Sequence, residues 1–274
     1  MTNRLGSGIN ISNVLFKMLT KTEIEEFITR GYVRVDNAFP VEVASQCREL
    51  LWKASGCNPE DKTTWTQPVV RIGEMAMKPF VDASNTAVLH EAFDQLVGAG
   101  NWIPRQSLGT FPIRFPSQAP ANDTGWHVDA SFPGDDPVNY LEWRINVKSR
   151  GRGLLMLFLF SDTADNDAPT RIRVGSHLDI SRVLAPHGDA GLSFMEIAEN
   201  LAKLPVRTEA LATGSAGTVY LCHPFLVHAA QENRGSQPKF MAQPPLHTRQ
   251  DFSIVPSGDT CAVEAAIKRA LAQL

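Results

Sequence analysis

The chain has 274 residues, 43% hydrophobic and 20% charged, with 26 Lys and Arg against 29 Asp and Glu and a formal net charge of −3. This balance is ordinary for a globular protein and excludes both a disordered chain and a strongly basic one, so nucleic acid is not an expected partner. No stretch reaches the roughly 20 apolar residues that span a membrane, and no apolar run precedes a small-residue cleavage site near residue 1, so a cytoplasmic protein without a membrane partner is expected.

Residues 1–18, rich in Gly, Ser and Asn, read as a loosely docked arm. Thr20 followed by Glu23 has capping-box spacing and opens a helix whose apolar stripe is Ile24, Phe27 and Ile28. Gly31 suits its C-terminal cap, and Tyr32 to Val35 alternates as a short strand. A second helix is expected over 40–53, with Val43, Cys47, Leu50 and Leu51 on one side. A third is expected over 84–97, capped by Ser84 or Asn85 and facing inward with Leu89, Phe93 and Leu96.

From about residue 107 the texture changes to short strand-like runs separated by Gly, Pro, Asn and Asp. The candidates are 109–115, 126–131, 141–147, 154–160, 170–174, 206–211, 218–222, 226–229 and 239–244, a pattern that suggests an antiparallel sandwich or barrel. Residues 195–204 read as a helical insertion and 262–274 as a closing helix. The simplest architecture is one domain, with a mainly helical flank at 19–104, a β core at 105–250 and a C-terminal helix within 251–274. The four cysteines, Cys47, Cys57, Cys222 and Cys261, match no zinc-ligand spacing and are too few for a disulfide scaffold, so they read as reduced thiols.

The chemistry begins at Gly125-Trp126-His127-Val128-Asp129-Ala130. On a strand His127 and Asp129 point to the same side, about 7 Å apart at roughly 3.3 Å per residue. An imidazole and a carboxylate so placed can bind one divalent metal from adjacent directions. The segment from Tyr220 to Ala230 is apolar and holds two histidines, His223 and His228. One more ligand from it would complete the two-histidine, one-carboxylate triad of non-haem iron(II) oxygenases, which leaves positions open for cosubstrate and dioxygen. Lys239, on the next strand-like run, supplies a cation that a dicarboxylate cosubstrate would require. His177, after Gly175-Ser176, reads as a turn or pocket residue rather than a ligand.

Together these segments resemble the phytanoyl-CoA dioxygenase family of iron(II)/2-oxoglutarate oxygenases. The likeness runs from Leu19 to Phe27 and Gly31-Tyr32-Val33, through Gly125-Trp126-His127-Val128-Asp129, Asp167-Ala168-Pro169-Thr170-Arg171 and Gly175-Ser176-His177, to His223-Pro224, His228, Asn233 and Pro238-Lys239. It implies a double-stranded β-helix, the cupin-like jelly roll, mainly β with flanking helices. It implies Fe(II), 2-oxoglutarate and O2 as cofactor and cosubstrates, with hydroxylation of a small molecule and release of succinate and carbon dioxide. Carried over, the metal ligands are His127, Asp129 and His228, and His223 is not one.

The family carries an arginine where this chain has Lys239, so the cosubstrate anchor is Lys239, or passes to Arg114, Arg171 or Arg173. Halogenases related to this family lack the carboxylate ligand, and Asp129 is present here, which argues against halogen transfer. Trp126, Phe132, Trp143 and Arg114 are expected around the substrate pocket. No Gly-rich phosphate loop is seen, which points away from a CoA thioester. The alternatives are a catalytically impaired metal-binding sensor and a non-oxidative jelly-roll enzyme such as an isomerase.

Overall fold

The structure, a computed structural model, describes residues 18–258 and 260–273, so the expected arm falls outside the described residues except for Met18. Helix α1 (Lys21–Arg30) starts at a completed capping box: Thr20 Oγ1 accepts from the Glu23 N–H, and the Glu23 carboxylate accepts from the Thr20 N–H at 2.8 Å. Gly31 ends it in the left-handed region, φ +87°, and strand β1 (Tyr32–Val35) follows directly. Helix α2 (Val41–Ser55) buries Ala44, Cys47 and Leu51.

Strand β2 (Val69–Ile72), which exposes Arg71 between half-buried Val70 and Ile72, lies outside the expected set. The third expected helix is α4 (Ala87–Val97), and a separate short helix outside the expected set, α3 (Lys78–Ser84), precedes it. The Asn85 side-chain amide turns back to the Val81 carbonyl at 2.9 Å, and Thr86 supplies the cap of α4. Ser84 is therefore the end of one helix rather than the start of the next. Leu89, Phe93 and Leu96 are buried as expected.

Next in chain order come β3 (Phe111–Arg114), β4 (Arg144–Ile145), β5 (Leu154–Leu159) and β6 (Thr170–Arg173). After them come helix α5 (Ser176–Leu184), β7 (Leu192–Ser193), α6 (Phe194–Leu201), β8 (Glu209–Ala212) and β9 (Val219–Cys222). The chain closes with β10 (His228–Ala229), β11 (Met241–Ala242), β12 (Pro245–Leu246) and α7 (Ala262–Leu271). One expected strand is reduced to isolated pairing and another is cut short. Residues 126–131 pair through a bridge between His127 and His228 and through the Ser131 N–H on the Arg144 carbonyl, and of 141–147 only Arg144–Ile145 is strand, after a 3-10 turn, Tyr140–Glu142, capped by Asn139.

The larger sheet has the antiparallel order β1-β9-β5-β11, with β12 continuing along the same edge of β5. A second sheet is ordered β10-β6-β8, and β2-β3 joins the first through a bridge between Arg114 and Lys239. The all-apolar run of β5, Leu-Leu-Met-Leu-Phe-Leu, is buried at every position because both of its faces are covered. Leu155, Leu157 and Leu159 pack with Tyr220, Met241, Ile172 and Ala212 between the two sheets. Met156 and Phe158 pack on the other side with α1, α2, α4 and α7 residues such as Phe27, Leu51, Phe93 and Ile267. Each such side chain contributes about 1.5–3 kcal/mol on burial. The four cysteines are free thiols. Among the described residues no helix is long and apolar enough to cross a membrane.

Candidate metal centre and its cavity

His127 and His228 meet because their backbones pair: each N–H donates to the other's carbonyl at 3.0 Å, which brings the two rings to a centroid distance of 4.3 Å. Asp129, two residues on, falls on the same side. Its Oδ1 lies 3.7 Å from His127 Nε2 and 4.0 Å from His228 Nε2. One ligand atom from each of the three residues lies within 4.8 Å of the others.

The protonation pattern suits a cation. His127 Nδ1 sits 3.0 Å from the Gly125 carbonyl and His228 Nδ1 3.0 Å from the Leu226 carbonyl. A carbonyl only accepts, so the proton stays on Nδ1 and each Nε2 presents a lone pair. Burial pushes the His228 imidazole down to about 4, helped by the neighbouring His127, so it is neutral at pH 7. Among the described residues the buried His228 Nε2 has no hydrogen-bond partner, a costly arrangement that a metal would relieve. Burial raises the Asp129 carboxyl, but Arg152 and the two imidazoles outweigh it and hold the group below the usual carboxylate range. Two imidazoles and one carboxylate, with no thiolate, are the donor set of an open first-row metal site rather than a closed structural zinc site.

These residues open onto a cavity of about 1110 Å³. Lys239, Met241, Gln243 and Pro245 line one wall at every second position, while Phe240 and Ala242 turn into the helix-side core, as strand alternation requires. Lys239 is 1% exposed and its Nζ donates to the Ala168 carbonyl at 2.7 Å. Burial and the adjacent Arg114 push its ammonium down to about 7. Arg114 lines the same cavity and donates to Asp123 Oδ2 at 2.7 Å, where Arg71 also binds. Its Nη1 is buried without a partner among the described residues. Trp126, Tyr140, Leu141, Phe194 and Ala198 form an apolar wall beside His127.

Several expected placements are corrected. Arg171 and Arg173 do not line the cavity. Both guanidinium groups stack over the Trp126 ring, at 4.6 and 4.4 Å, because alternate residues of β6 share that face. Phe132 and Trp143 also lie outside the lining, the first under Arg150 and the second donating to the Pro137 carbonyl. His177 is not in a turn: Gly175 caps α5, and His177 is fully buried in its first turn, 4.8 Å from His223. His223 lies away from His127, Asp129 and His228, against His177 and Phe225. The reason is a break in the strand after Cys222, where a turn donates the Leu226 N–H to the His223 carbonyl at 2.9 Å. Arg152, Asp123 and Tyr140 went unnoticed in the sequence. The run Ser149-Arg150-Gly151-Arg152-Gly153, small residues flanking a cation just before an all-apolar strand, was the available signal for Arg152.

No protein-family model and no curated protein sequence matches the chain. Solved structures do. HygX from Streptomyces hygroscopicus, with nickel and 2-oxoglutarate bound, aligns with a TM-score of 0.54 at 14% identity over 85% of this chain and 88% of that one. The epimerase SnoN in complex with Fe3+, alpha ketoglutarate and nogalamycin RO aligns with a TM-score of 0.54 at 14% identity over 83% and 82%. EctD from S. alaskensis, in its apoform, gives 0.50 at 18% identity over 84% and 77%. At these identities the likeness is one of fold.

Proposed function

We propose that the chain is a mononuclear non-haem iron(II) enzyme that uses 2-oxoglutarate and dioxygen and hydroxylates a small-molecule substrate. The observation that carries this reading is the meeting of His127, Asp129 and His228 at one point of a large cavity, with His228 Nε2 buried and unpartnered. The like-folded structures that hold iron or nickel with 2-oxoglutarate support it. On this reading the two sheets form one double-stranded β-helix domain of the phytanoyl-CoA dioxygenase type, with the three ligands in its mouth.

His127, Asp129 and His228 would hold the metal on one face and leave the opposite positions free. When bound, iron and 2-oxoglutarate supply the oxidising power: dioxygen is consumed, the cosubstrate leaves as succinate and carbon dioxide, and a substrate C–H becomes C–OH. The chain itself binds, orients and excludes water. Lys239 holds the far carboxylate of the cosubstrate, because a buried ammonium beside a second cation needs an anion. Arg114, with its free Nη1, adds a second donor. The wall of Trp126, Tyr140 and Phe194 takes the apolar body of a substrate, for which a cavity this size leaves room beyond the cosubstrate. Asp129 fills the position a halide would need, so hydroxylation is favoured over halogen transfer.

The test is anaerobic reconstitution with Fe(II), titration with 2-oxoglutarate, then admission of oxygen with a metabolite panel. Succinate released in step with one added metabolite is the expected result. Turnover without oxygen would favour an isomerase, and metal binding without any turnover a sensor.

A further inference from the structure

We infer that Arg152 is a positioning residue of the metal site: it holds Asp129 by Oδ2 so that Oδ1 alone is presented to the metal. The inference rests on the metal reading above and goes beyond it. The two carboxylate oxygens already have separate partners. Oδ1 faces His127 and His228, and Oδ2 accepts from Arg152 Nη1 at 2.8 Å. Arg152 is 8% exposed, so water does little to screen or replace this bond.

Its backbone is fixed from both sides. The Arg152 N–H donates to the Ser149 carbonyl at 3.1 Å, and the buried Ser149 hydroxyl donates to the Arg152 carbonyl at 2.7 Å. Gly151 is left-handed at φ +78°. Gly153 donates to the Leu246 carbonyl at 2.7 Å, and a Cβ there would come within 3.0 Å of Thr248 Cγ2 and 3.1 Å of Val97 Cγ1. The guanidinium therefore springs from a turn that cannot shift, immediately before β5.

The consequence is a count of coordination positions. Two imidazoles and a one-oxygen carboxylate leave three positions of a six-coordinate metal, enough for a two-pronged keto acid and one further ligand. A carboxylate bound through both oxygens would take one of those three. Arg152 prevents this by occupying Oδ2.

The test uses Co(II) in place of iron, with the metal-free full chain as Arg152→Gln and Arg152→Lys, each checked for folding by circular dichroism. Arg152→Gln is expected to weaken Co(II) binding about 10- to 100-fold, as loss of a partner behind a ligand does elsewhere. It should also change the visible Co(II) spectrum and reduce the spectral response to 2-oxoglutarate. Only one prong of the guanidinium is used, so Arg152→Lys should restore both. A crystal structure of the Co(II)-loaded wild type needs no variant: Oδ1 on the metal and Oδ2 on Arg152 is the expected result. Both oxygens on the metal, or an Arg152→Gln protein with wild-type affinity and spectrum, would overturn the inference. Wild type that binds Co(II) no better than His228→Ala would instead sink the metal reading itself.

Discussion

Arg114 and Lys239 stand opposite each other on paired backbone, each N–H donating to the other's carbonyl at 3.1 and 2.9 Å, and both side chains reach one cavity. Arg114 has Asp123 as counter-ion, whereas Lys239 has a carbonyl. Lys239 is thus the cation whose burial an anionic ligand would relieve most. A charge-assisted bond is worth about 1.5–3 kcal/mol, so Lys239→Met should weaken 2-oxoglutarate binding about 10- to 150-fold at about 1.4 kcal/mol per decade. Anaerobic titration of the iron-loaded variant checks this. Unchanged affinity would move the anchor to Arg114.

The same lysine sets a pH dependence. Burial and Arg114 bring its free-state value to about 7, and a bound carboxylate raises it again. The charged form binds the anion, so cosubstrate affinity should be highest below pH 7 and fall by up to about tenfold per unit above it. Binding near pH 8 should take up a proton, measurable by calorimetry in buffers of different ionisation heat. Lys239→Arg should flatten the profile, since arginine stays charged throughout. A flat wild-type profile between pH 6 and 9 would contradict this account.

The two histidines of the 223–228 segment should separate cleanly. His228→Ala is expected to abolish Co(II) binding at micromolar protein. His223→Ala should leave metal affinity intact while lowering stability by about 2–4 kcal/mol, the usual scale for emptying a buried ring site. That ring is packed between Phe225 at 5.0 Å and His177 at 4.8 Å. Urea unfolding and metal titration read the two effects separately. Loss of metal in His223→Ala with the fold intact would refute the ligand assignment.

Gly31 should tolerate no side chain. Its φ is +87°, and a Cβ would lie 2.5 Å from His177 Nδ1 and 2.7 Å from Leu226 Cδ1. Left-handed strain of about 1–2 kcal/mol and overpacking of about 1–3 kcal/mol should add. Gly31→Ala is therefore expected to shift the urea midpoint down by roughly 2–5 kcal/mol of stability, without changing Co(II) affinity once folded. A change below about 0.5 kcal/mol would mean that α5 and the 223–226 turn can yield.

Some of this was legible in the chain. The capping box of α1 needs only Thr20 and Glu23, three residues apart. The alternation that puts Lys239 and Met241 on one wall and Phe240 and Ala242 on the other needs only a period of two. Helix α5 was hidden because Gly175-Ser176 looks like a turn, and it is a cap. Helix α3 lies outside the expected set because its seven residues, Lys78–Ser84, are too few to show a helical stripe, whereas the start of α4 is displaced from Ser84 or Asn85 only to Thr86.

What lies within a few residues along the chain can be read locally: where helices start, which side chains share a strand face, and that His127 and Asp129 point together. Which distant groups meet depends on how the folded sheets pair. His228 reaches His127 because one backbone bridge fixes the register, and a slip of one residue would have turned it to the other face. Arg152 reaches Asp129, and Arg171 and Arg173 spend their charge on Trp126, for the same reason. Sheet pairing between remote segments sets these neighbours, and no local periodicity records the register.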